Sequence, residues 1–417
     1  MSIYYFDGTV FGSSDGNSFE MILNSSDSDQ DRLRVYQSLI RFRNQVSSMD
    51  AAEMFGSFFQ NINKAIYSLE AQHLRHVTLE MEFDMKAWMQ HELESQTYEV
   101  DGHGQYYLSR GHHWMQSCYD AVDQTASMDQ GQLLLDVAMV CQSLLQRGAD
   151  DWVHALRVHW QSFVQEPGYA KVVAWINTLE RFVKKTEDFA DHVYGKLDKP
   201  FKSKWDMSNV SGAYYGATKK ASECLVDMIF KDITPFTEQF WVTPEFYINP
   251  MERMNNVVLT IKDWMDDLQT CLTQVALRKV YLDTIKWLIY LIVIPLFKKP
   301  IHQETDRLLV QFVHTIKDAF LPYTIFPVSI NQKTLDMSLQ PLLDVAMVLD
   351  VDDPFLLPIL AECMGKSYPD VHFDFFKHLV QHNPISNAVL EACQAHFAVR
   401  VVDPTTKSFF YSYFPAA

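Results

Sequence analysis

The alternation of apolar and polar positions is clearest between residues 251 and 297. In the first part of this stretch, large apolar residues recur every three or four positions. Charged residues fall between them, on the opposite side of a helix with about 3.6 residues per turn. The spacing predicts a helix with a buried stripe of Val257, Ile261, Trp264, Leu268, Leu272 and Val275, and a solvent side with Lys262, Asp263, Asp266 and Asp267.

The second part of this stretch, residues 287–297, contains no charged residue, although Pro295 interrupts its end. A helix needs about 20 apolar residues to span a bilayer, so this run is too short to cross a membrane. We expect a helix that is buried on most sides and forms the core of the C-terminal half of the chain.

Helical spacing of apolar residues begins near residue 31 and continues through most of the chain. Residues 96–111 contain glycines but no helical stripe, so we expect a loop or a small hairpin there. Proline suits the first turn of a helix, because its fixed dihedral and missing N–H cost nothing at that position. The predicted helices cover residues 70–95, 112–126, 130–147, 150–165 and 169–193, and later ones begin near Pro354, Pro369 and Pro384.

Long helical segments joined by short breaks favour an all-α fold of consecutive antiparallel helical bundles. Residues 1–30 are rich in Ser, Asp, Asn and Gly, which predicts a flexible N-terminal arm. Gly195, Pro200 and a lysine cluster mark residues 194–210 as the best boundary. The predicted domains are the arm, one or more N-terminal bundles, a middle bundle and a C-terminal bundle, over residues 1–30, 31–195, 205–300 and 301–417.

Composition and charge narrow the class of protein. The chain is 48% hydrophobic with only 14 glycines, which supplies a large core and disfavours strands joined by tight turns. A formal charge of -17 argues against general binding to nucleic acid or to anionic membranes. The six cysteines form no Cys-x-x-Cys pair, which indicates reduced thiols in a cytosolic protein. No charged segment followed by an apolar core opens the chain, so no secretory signal is expected.

Several patterns could hold a metal, and each has a simpler explanation. The spacing of Asp263, Asp266 and Asp267 occurs in helical prenyl-transfer enzymes, but here the aspartates fall on the solvent side of the predicted helix. The run from Asp350 to Asp353 begins like a calcium loop and then departs from it, so a helix cap is expected. Histidine pairs, such as His73 with His76, lack the partners of a zinc motif. We therefore predict no enzyme activity, no metal and no cofactor.

A lysine cluster is the one stretch with a basic surplus in this acidic chain. It comprises Lys196, Lys199, Lys202 and Lys204, with Lys184, Lys185, Lys219 and Lys220 nearby in sequence. One interpretation is a solvated linker between bundles. The other is a contact for acidic lipid headgroups or an acidic partner, because each lysine near an anionic membrane contributes about 1 kcal/mol. The aromatic tail, residues 407–417, likewise either packs back on the last bundle or anchors a partner.

Family resemblance begins with three segments in the order LVDMIFKDITPFTEQFWVTPEFY, MERMNNVVLTIKDWMDDL and LRKVYLDTIKWLIYLI. Further segments are YAKVVAWINTLERFVKKTEDF upstream and LLDVAMVLDVDDPFLLPILAECMGKSYPDVHFDFFKHLVQ downstream. Together they resemble the C-terminal half of the exocyst complex component 3 (Sec6-type) family, including its shorter M-Sec branch. The resemblance covers roughly residues 130–400 and rests on the order and spacing of helices.

The resemblance implies an elongated rod of helical bundles of the tethering-complex type, without catalysis. Such a protein docks secretory vesicles at the plasma membrane, in the cytoplasm at the periphery of that membrane or of the vesicles. The implied partners are other tethering-complex subunits, small GTPases of the Ral or Rab type, the fusion (SNARE) machinery and phosphoinositide headgroups, but no nucleic acid. The alternative is an M-Sec-like protein that binds Ral and phosphoinositides and promotes membrane protrusions.

Overall fold

Helices dominate the computed structural model. It describes residues 4–6, 9–11, 35–43, 56–94, 97–108, 111–163, 168–238, 240–241, 244–298, 301–302, 304–325, 330–368, 371–381 and 385–397. Two short antiparallel strand pairs are the exceptions within these residues, so the predicted all-α fold is confirmed. The aromatic tail lies outside the described residues.

The N-terminal half contains both strand pairs and the longest helices. Strand β1 (Tyr4–Phe6) pairs with β2 (Thr9–Phe11), inside the segment predicted to be a flexible arm. Strand β3 (Glu99–Val100) pairs with β4 (Tyr106–Tyr107), which confirms the small hairpin expected there. The helices are α1 (35–43), α2 (Gly56–Glu94), α3 (Gly111–Met128), α4 (Gln132–Phe163), α5 (Gly168–Lys196), α6 (Lys199–Lys202) and α7 (Ser208–Thr237).

In the C-terminal half, helices are the regular elements among the described residues. Its α-helices are α8 (Pro244–Ile248), α9 (Pro250–Cys271), α10 (Gln274–Lys298), α11 (Thr305–Phe320), α12 (Gln332–Leu349), α13 (Leu357–Ser367), α14 (Phe373–Val380) and α15 (Asn387–Gln394). Short 3-10 turns cover Leu321–Thr324, Pro354–Leu356 and Ala395–Phe397.

The chain divides into two compact units that interleave in sequence. Unit 1 comprises Met1–Tyr98, Leu108–Val158 and Thr178–Thr218, and unit 2 comprises Glu99–Tyr107, His159–Asn177 and Lys219–Ala417. The four-part domain division expected from the sequence stays a prediction.

An aromatic cluster forms the centre of unit 1. The rings of Trp88 and Trp114 stack at 5.8 Å between centroids, and Trp152 lies 5.1 Å from Trp88. Phe182 contacts the edge of Trp88 and stacks on Tyr214 at 5.3 Å. All of these side chains are buried, so the cluster ties α2, α3, α4, α5 and α7 together through apolar area and ring geometry.

Two helices of unit 1 are longer than their patterns predict. The expected separate helices over residues 130–147 and 150–165 form the single helix α4, and the candidate that began near residue 70 is part of α2. Gly148, which falls between these two predicted helices, lies inside α4. A Cβ there would stand 3.0 Å from the ring of Trp114 and 3.3 Å from the hydroxyl of Tyr214, so the glycine makes room for the aromatic cluster.

In unit 2, the Asn177 side chain binds three separate backbone groups. Its Nδ2 donates to the carbonyls of Tyr106, at 2.9 Å, and Cys271, at 2.8 Å. Its Oδ1 accepts from the N–H of Thr273 at 3.0 Å. Asn177 is fully buried, so one side chain fastens the β3–β4 hairpin and the junction between α9 and α10 to the end of α5 that belongs to this unit.

The stretch of residues 251–297 forms α9 and α10, and most of its predicted pattern is confirmed. Val257, Ile261, Leu268 and Leu272 are buried. The stripe does not continue to Val275, which is 66% exposed, because α9 ends at Cys271 and α10 starts a new helical phase at Gln274.

The apolar run in α10 is buried as expected. Leu288, Ile289, Ile292, Val293 and Leu296 are at most 1% exposed. Among the described residues, no helix is both long and apolar enough to cross a bilayer.

Candidate functional site

The lysine cluster lies on a folded segment of unit 1. Lys196 ends α5, and Asp198, with an extended backbone, precedes the short helix α6. Pro200 occupies the first turn of α6, where its missing N–H costs no hydrogen bond. The chain then turns into α7, where Asp206 accepts hydrogen bonds from the backbone N–H and the hydroxyl of Ser208.

Hydrogen bonds and ring packing hold this segment in place. The indole of Trp205 donates to the carbonyl of Ala190 at 3.0 Å, and its ring meets the edge of Phe189 at 6.4 Å. The N–H of Asp198 donates to the carbonyl of Gln130 at 2.9 Å, and Gln142 Nε2 donates to the carbonyl of Asp206 at 2.6 Å. The segment is therefore anchored on α4 and α5, in contrast to the solvated linker that was one interpretation of its sequence.

Lys196 belongs to an ion-pair network between α3 and α5. Its Nζ lies 2.9 Å from Oδ1 of Asp123, and Nε2 of His192 lies 2.7 Å from the same oxygen. Partial burial opposes ionisation of Asp123, but hydrogen bonds from Lys196 and His192 outweigh it and hold the pKa of this carboxyl below its usual value. Tyr119 packs its ring edge against His192 at 5.0 Å. Lys196 is thus a structural residue as well as a surface cation.

The other three lysines form a cationic surface, which we call the lysine face: Lys199, Lys202 and Lys204. Lys202 Nζ lies 4.6 Å from the ring centroid of Tyr194, and Lys204 Nζ lies 5.4 Å from that of Phe201. Both distances suit cation–π contacts, which orient an ammonium group without neutralising it. Lys199 and Lys204 are exposed. Over the described part of the chain, no carboxylate pairs with any of the three, so their charges can meet an anion.

The neighbouring lysines in sequence are arranged differently. Burial and the nearby Arg181 lower the pKa of Lys185, against the opposing charge of Asp188. Lys219 and Lys220 belong to unit 2, where Lys220 pairs with Glu223. They are therefore not part of the lysine face.

Sequence reasoning missed the residues that organise these lysines. Asp123 is 73 residues from Lys196 in sequence, so no local spacing points to it. Tyr194 and Phe201 did offer a signal, because aromatic residues alternate with lysines across residues 194–205.

The acidic pattern of α9 lies on its solvent side, as predicted. Asp263, Asp266 and Asp267 are all exposed. Asp266 also has a structural partner, because the hydroxyl of Tyr323 donates to its Oδ1 at 2.5 Å. Burial, and then this carboxylate, raise the pKa of Tyr323. Where residues are described, no group of three or more His, Cys, Asp or Glu side chains is arranged to hold a metal ion.

The other candidate ligands also have structural roles. Asp353 caps the turn Pro354–Leu356 by accepting from the N–H of Phe355 at 3.0 Å, which confirms the expected cap. His73 Nε2 lies 2.9 Å from the hydroxyl of Thr125, and His76 faces Glu80 along α2. The side chains of both histidines thus contact residues of a neighbouring or the same helix, Thr125 and Glu80.

Comparison with solved structures shows the same helical fold in two proteins. The crystal structure of the C-terminal domain of the exocyst subunit Sec6p matches with a TM-score of 0.68 at 12% identity, over 80% of this chain and 91% of that chain. The crystal structure of M-Sec matches with a TM-score of 0.65 at 11% identity, over 95% of this chain and 68% of that chain. No curated protein matches the chain in sequence.

A family model provides the sequence evidence. The model described as exocyst complex component Sec6 matches residues 77–382, which is well over half of the chain. The matched region includes the lysine face, the aromatic cluster of unit 1 and the paired helices α9 and α10. The chain therefore belongs to the Sec6 family of exocyst components.

Proposed function

We propose that this chain is a non-catalytic tethering subunit that docks secretory vesicles at the plasma membrane through protein–protein contacts. It would act in the cytoplasm, at the periphery of the plasma membrane or of the vesicles. Its partners would be other tethering-complex subunits, small GTPases of the Ral or Rab type and the fusion (SNARE) machinery.

The observation that carries this proposal is the Sec6 family match over residues 77–382. The helical fold agrees with it, because bundles of long helices provide extended surfaces for partners. Two of the carboxylates that the sequence offered as metal-binding candidates, those of Asp266 and Asp353, accept hydrogen bonds within the fold.

The decisive experiment is purification of the full chain, tagged at its natural expression level, from its own cells. Several other exocyst subunits should co-purify in amounts comparable to the chain itself. A tag alone, expressed in the same cells, is the control for non-specific capture. Absence of these subunits from a clean preparation would refute the tethering role.

A second candidate function is an M-Sec-like role, in which the chain binds Ral and phosphoinositides and promotes membrane protrusions. The lysine face favours it, because Lys199, Lys202 and Lys204 are cations without a described carboxylate partner. Each lysine close to an anionic membrane contributes about 1 kcal/mol, so three together correspond to roughly a hundredfold in affinity.

Vesicle binding tests this second candidate. Phosphatidylcholine vesicles that contain a phosphoinositide should bind the full chain, and the triple variant Lys199→Glu, Lys202→Glu, Lys204→Glu should bind them about a hundredfold more weakly. The matched control is Lys231→Glu, Lys262→Glu, Lys333→Glu, which makes the same charge change at exposed lysines elsewhere. Equal loss in both variants would assign the effect to net charge and reject the lysine face.

A further inference from the structure

Helix α13 has apolar residues on two sides. Its inner side, which includes Leu357, Ala361 and Met364, is buried against α15 and the turn Ala395–Phe397. Its other side continues from the preceding 3-10 turn and faces solvent. We call this side the outer stripe, and its members are Phe355, Leu356, Ile359 and Cys363.

The outer stripe is unusually exposed for its composition. Phe355 is 81% exposed, Ile359 57% and Leu356 48%. Single exposed apolar residues are common on protein surfaces, but these recur at the three- and four-residue spacing of one helix face. A helix that packs on its own domain needs only one apolar stripe. The second stripe therefore leaves much of its apolar surface exposed in the described fold.

One end of the outer stripe is strongly acidic. Asp350, Asp352 and Asp353 precede it and are exposed. One carboxylate oxygen of Asp353 accepts a hydrogen bond from the N–H of Phe355. Across the described residues, no basic side chain forms an ion pair with any of the three aspartates. At the far end, Glu362 is neutralised by Lys366. The stripe thus combines apolar anchors with an unbalanced negative charge at one end.

We propose that the outer stripe is a docking surface for an amphipathic helix of a partner protein, with large apolar residues on one face and Lys or Arg at the end that meets Asp350 and Asp352. From Phe355 to Cys363 the stripe is about 12 Å long, or roughly two helical turns. That length matches the i, i+3 or i+4, i+7 anchors of a helix bound along a surface.

Charge selects this occupant over others. An anionic membrane would be repelled by the three aspartates at the end of the stripe. In a two-fold contact, a second copy of the chain would bring the same acidic end to the stripe and would be repelled by it. The proposal goes beyond the tethering role and rests only on this surface. If no exocyst subunit co-purified, the tethering role would be refuted, but the proposed docking surface would not.

Photo-cross-linking identifies the occupant directly. The full chain carries a photoreactive phenylalanine analogue at position Phe355, is irradiated in its own cells, and the linked peptide is sequenced by mass spectrometry. We expect one partner segment with helical apolar spacing and Lys or Arg at one end. The same analogue at position Val275, which is 66% exposed at the start of α10, is the control and should not capture that segment.

Two double variants, each with a matched control, measure how much the apolar anchors and the acidic end contribute to partner binding. Phe355→Ser with Ile359→Ser should weaken co-purification of the cross-linked partner at least about tenfold, because both anchors are lost. Leu259→Ser with Val275→Ser removes comparable exposed apolar residues and should leave it unchanged. Asp350→Lys with Asp352→Lys should weaken it several-fold at low salt, whereas the charge-matched Asp263→Lys with Asp267→Lys should not.

Every other outcome overturns the proposal. Cross-links to residues 398–417 of the same chain would mean that its own tail covers the stripe. Cross-links to a second copy would make the stripe a self-association surface, and links to lipid would make it a membrane contact. No cross-link at Phe355, or a captured segment without basic residues and helical spacing, would equally reject it. Circular dichroism and thermal unfolding establish that each variant remains folded.

Discussion

Asn177 shows how much a single buried side chain can contribute. It satisfies two carbonyls and one N–H, which belong to the β3–β4 hairpin and to the junction between α9 and α10. Asparagine suits this position because it carries both donors and an acceptor on one short, planar group. Aspartate has the same shape but cannot donate to carbonyls.

Replacement of Asn177 should therefore be costly. A buried backbone group without a partner costs about 1–3 kcal/mol, so Asn177→Ala should lower the free energy of unfolding by about 3 kcal/mol or more. Asn177→Asp should lose at least as much, because both donor contacts become repulsive. Urea unfolding measures these changes.

The matched control is Asn256→Ala, an exposed asparagine of α9, which should change stability by less than about 0.5 kcal/mol. A small effect at Asn177, comparable to that at Asn256, would contradict the bridging role.

Among the helices, glycines mark both close contacts and open surfaces. In α13, a Cβ at Gly365 would lie 2.7 Å from the backbone carbonyl oxygen of His396, which a side-chain rotation cannot relieve. In α7, a Cβ at Gly216 would meet nothing within 4 Å. Both glycines lie inside helices, so replacement by alanine raises helix propensity at both positions. Only at Gly365 does the added Cβ also meet a neighbouring segment.

Opposite signs are expected for the two substitutions. Gly365→Ala should destabilise the protein by about 1–3 kcal/mol, because the turn Ala395–Phe397 must move away from α13. Gly216→Ala should stabilise it by up to about 1 kcal/mol, since alanine is the better helix former. Thermal unfolding of the two variants beside the parent chain measures both. Stabilisation by Gly365→Ala would show that α13 and the turn are not in close contact.

The helices themselves were largely predictable, because the period of apolar residues is a local property. Periodicity located the helices, the hairpin and the solvent side of α9 from residues a few positions apart. It failed where a long-range contact decides the outcome. The predicted interruption between residues 147 and 150 lies inside α4, where Gly148 makes room for Trp114. The junction between α9 and α10, where the helical phase changes, accepts a hydrogen bond from Asn177, which precedes Cys271 by 94 residues.

For the whole molecule, the carboxylates govern stability in acid. The chain has 52 Asp and Glu residues, and acid protonates their carboxylates. Asp123 differs, because its pKa is held below its usual value in the folded state. Its contribution is therefore present above the unfolded pKa of about 3.9 and is lost as pH falls through the lower folded value. Burial raises the pKa of Glu70 and Asp227, whose contributions have the opposite sign.

Removal of the Asp123 charge should flatten part of this acid dependence. Asp123→Asn should lower stability at pH 7 by about 0.5 kcal/mol, a modest value because the pair is half exposed. The difference in stability between pH 7 and pH 3 should shrink by a similar amount, measured by urea unfolding at each pH. Asp151→Asn, at an exposed carboxyl of α4, serves as the control. An unchanged acid dependence in Asp123→Asn would reject the network as a source of stability.

The aromatic cluster of unit 1 gives the molecule an optical signature of its own. The ring centroids of Trp114 and Trp152 each lie within 6 Å of that of Trp88, and the three rings are held in fixed, asymmetric orientations. Indoles held in this way give strong near-ultraviolet circular dichroism, and this signal vanishes when packing loosens even if helices persist. The near-ultraviolet band therefore carries a contribution from the packing of unit 1, which adds to that of packed tryptophans in unit 2 such as Trp241 and Trp287.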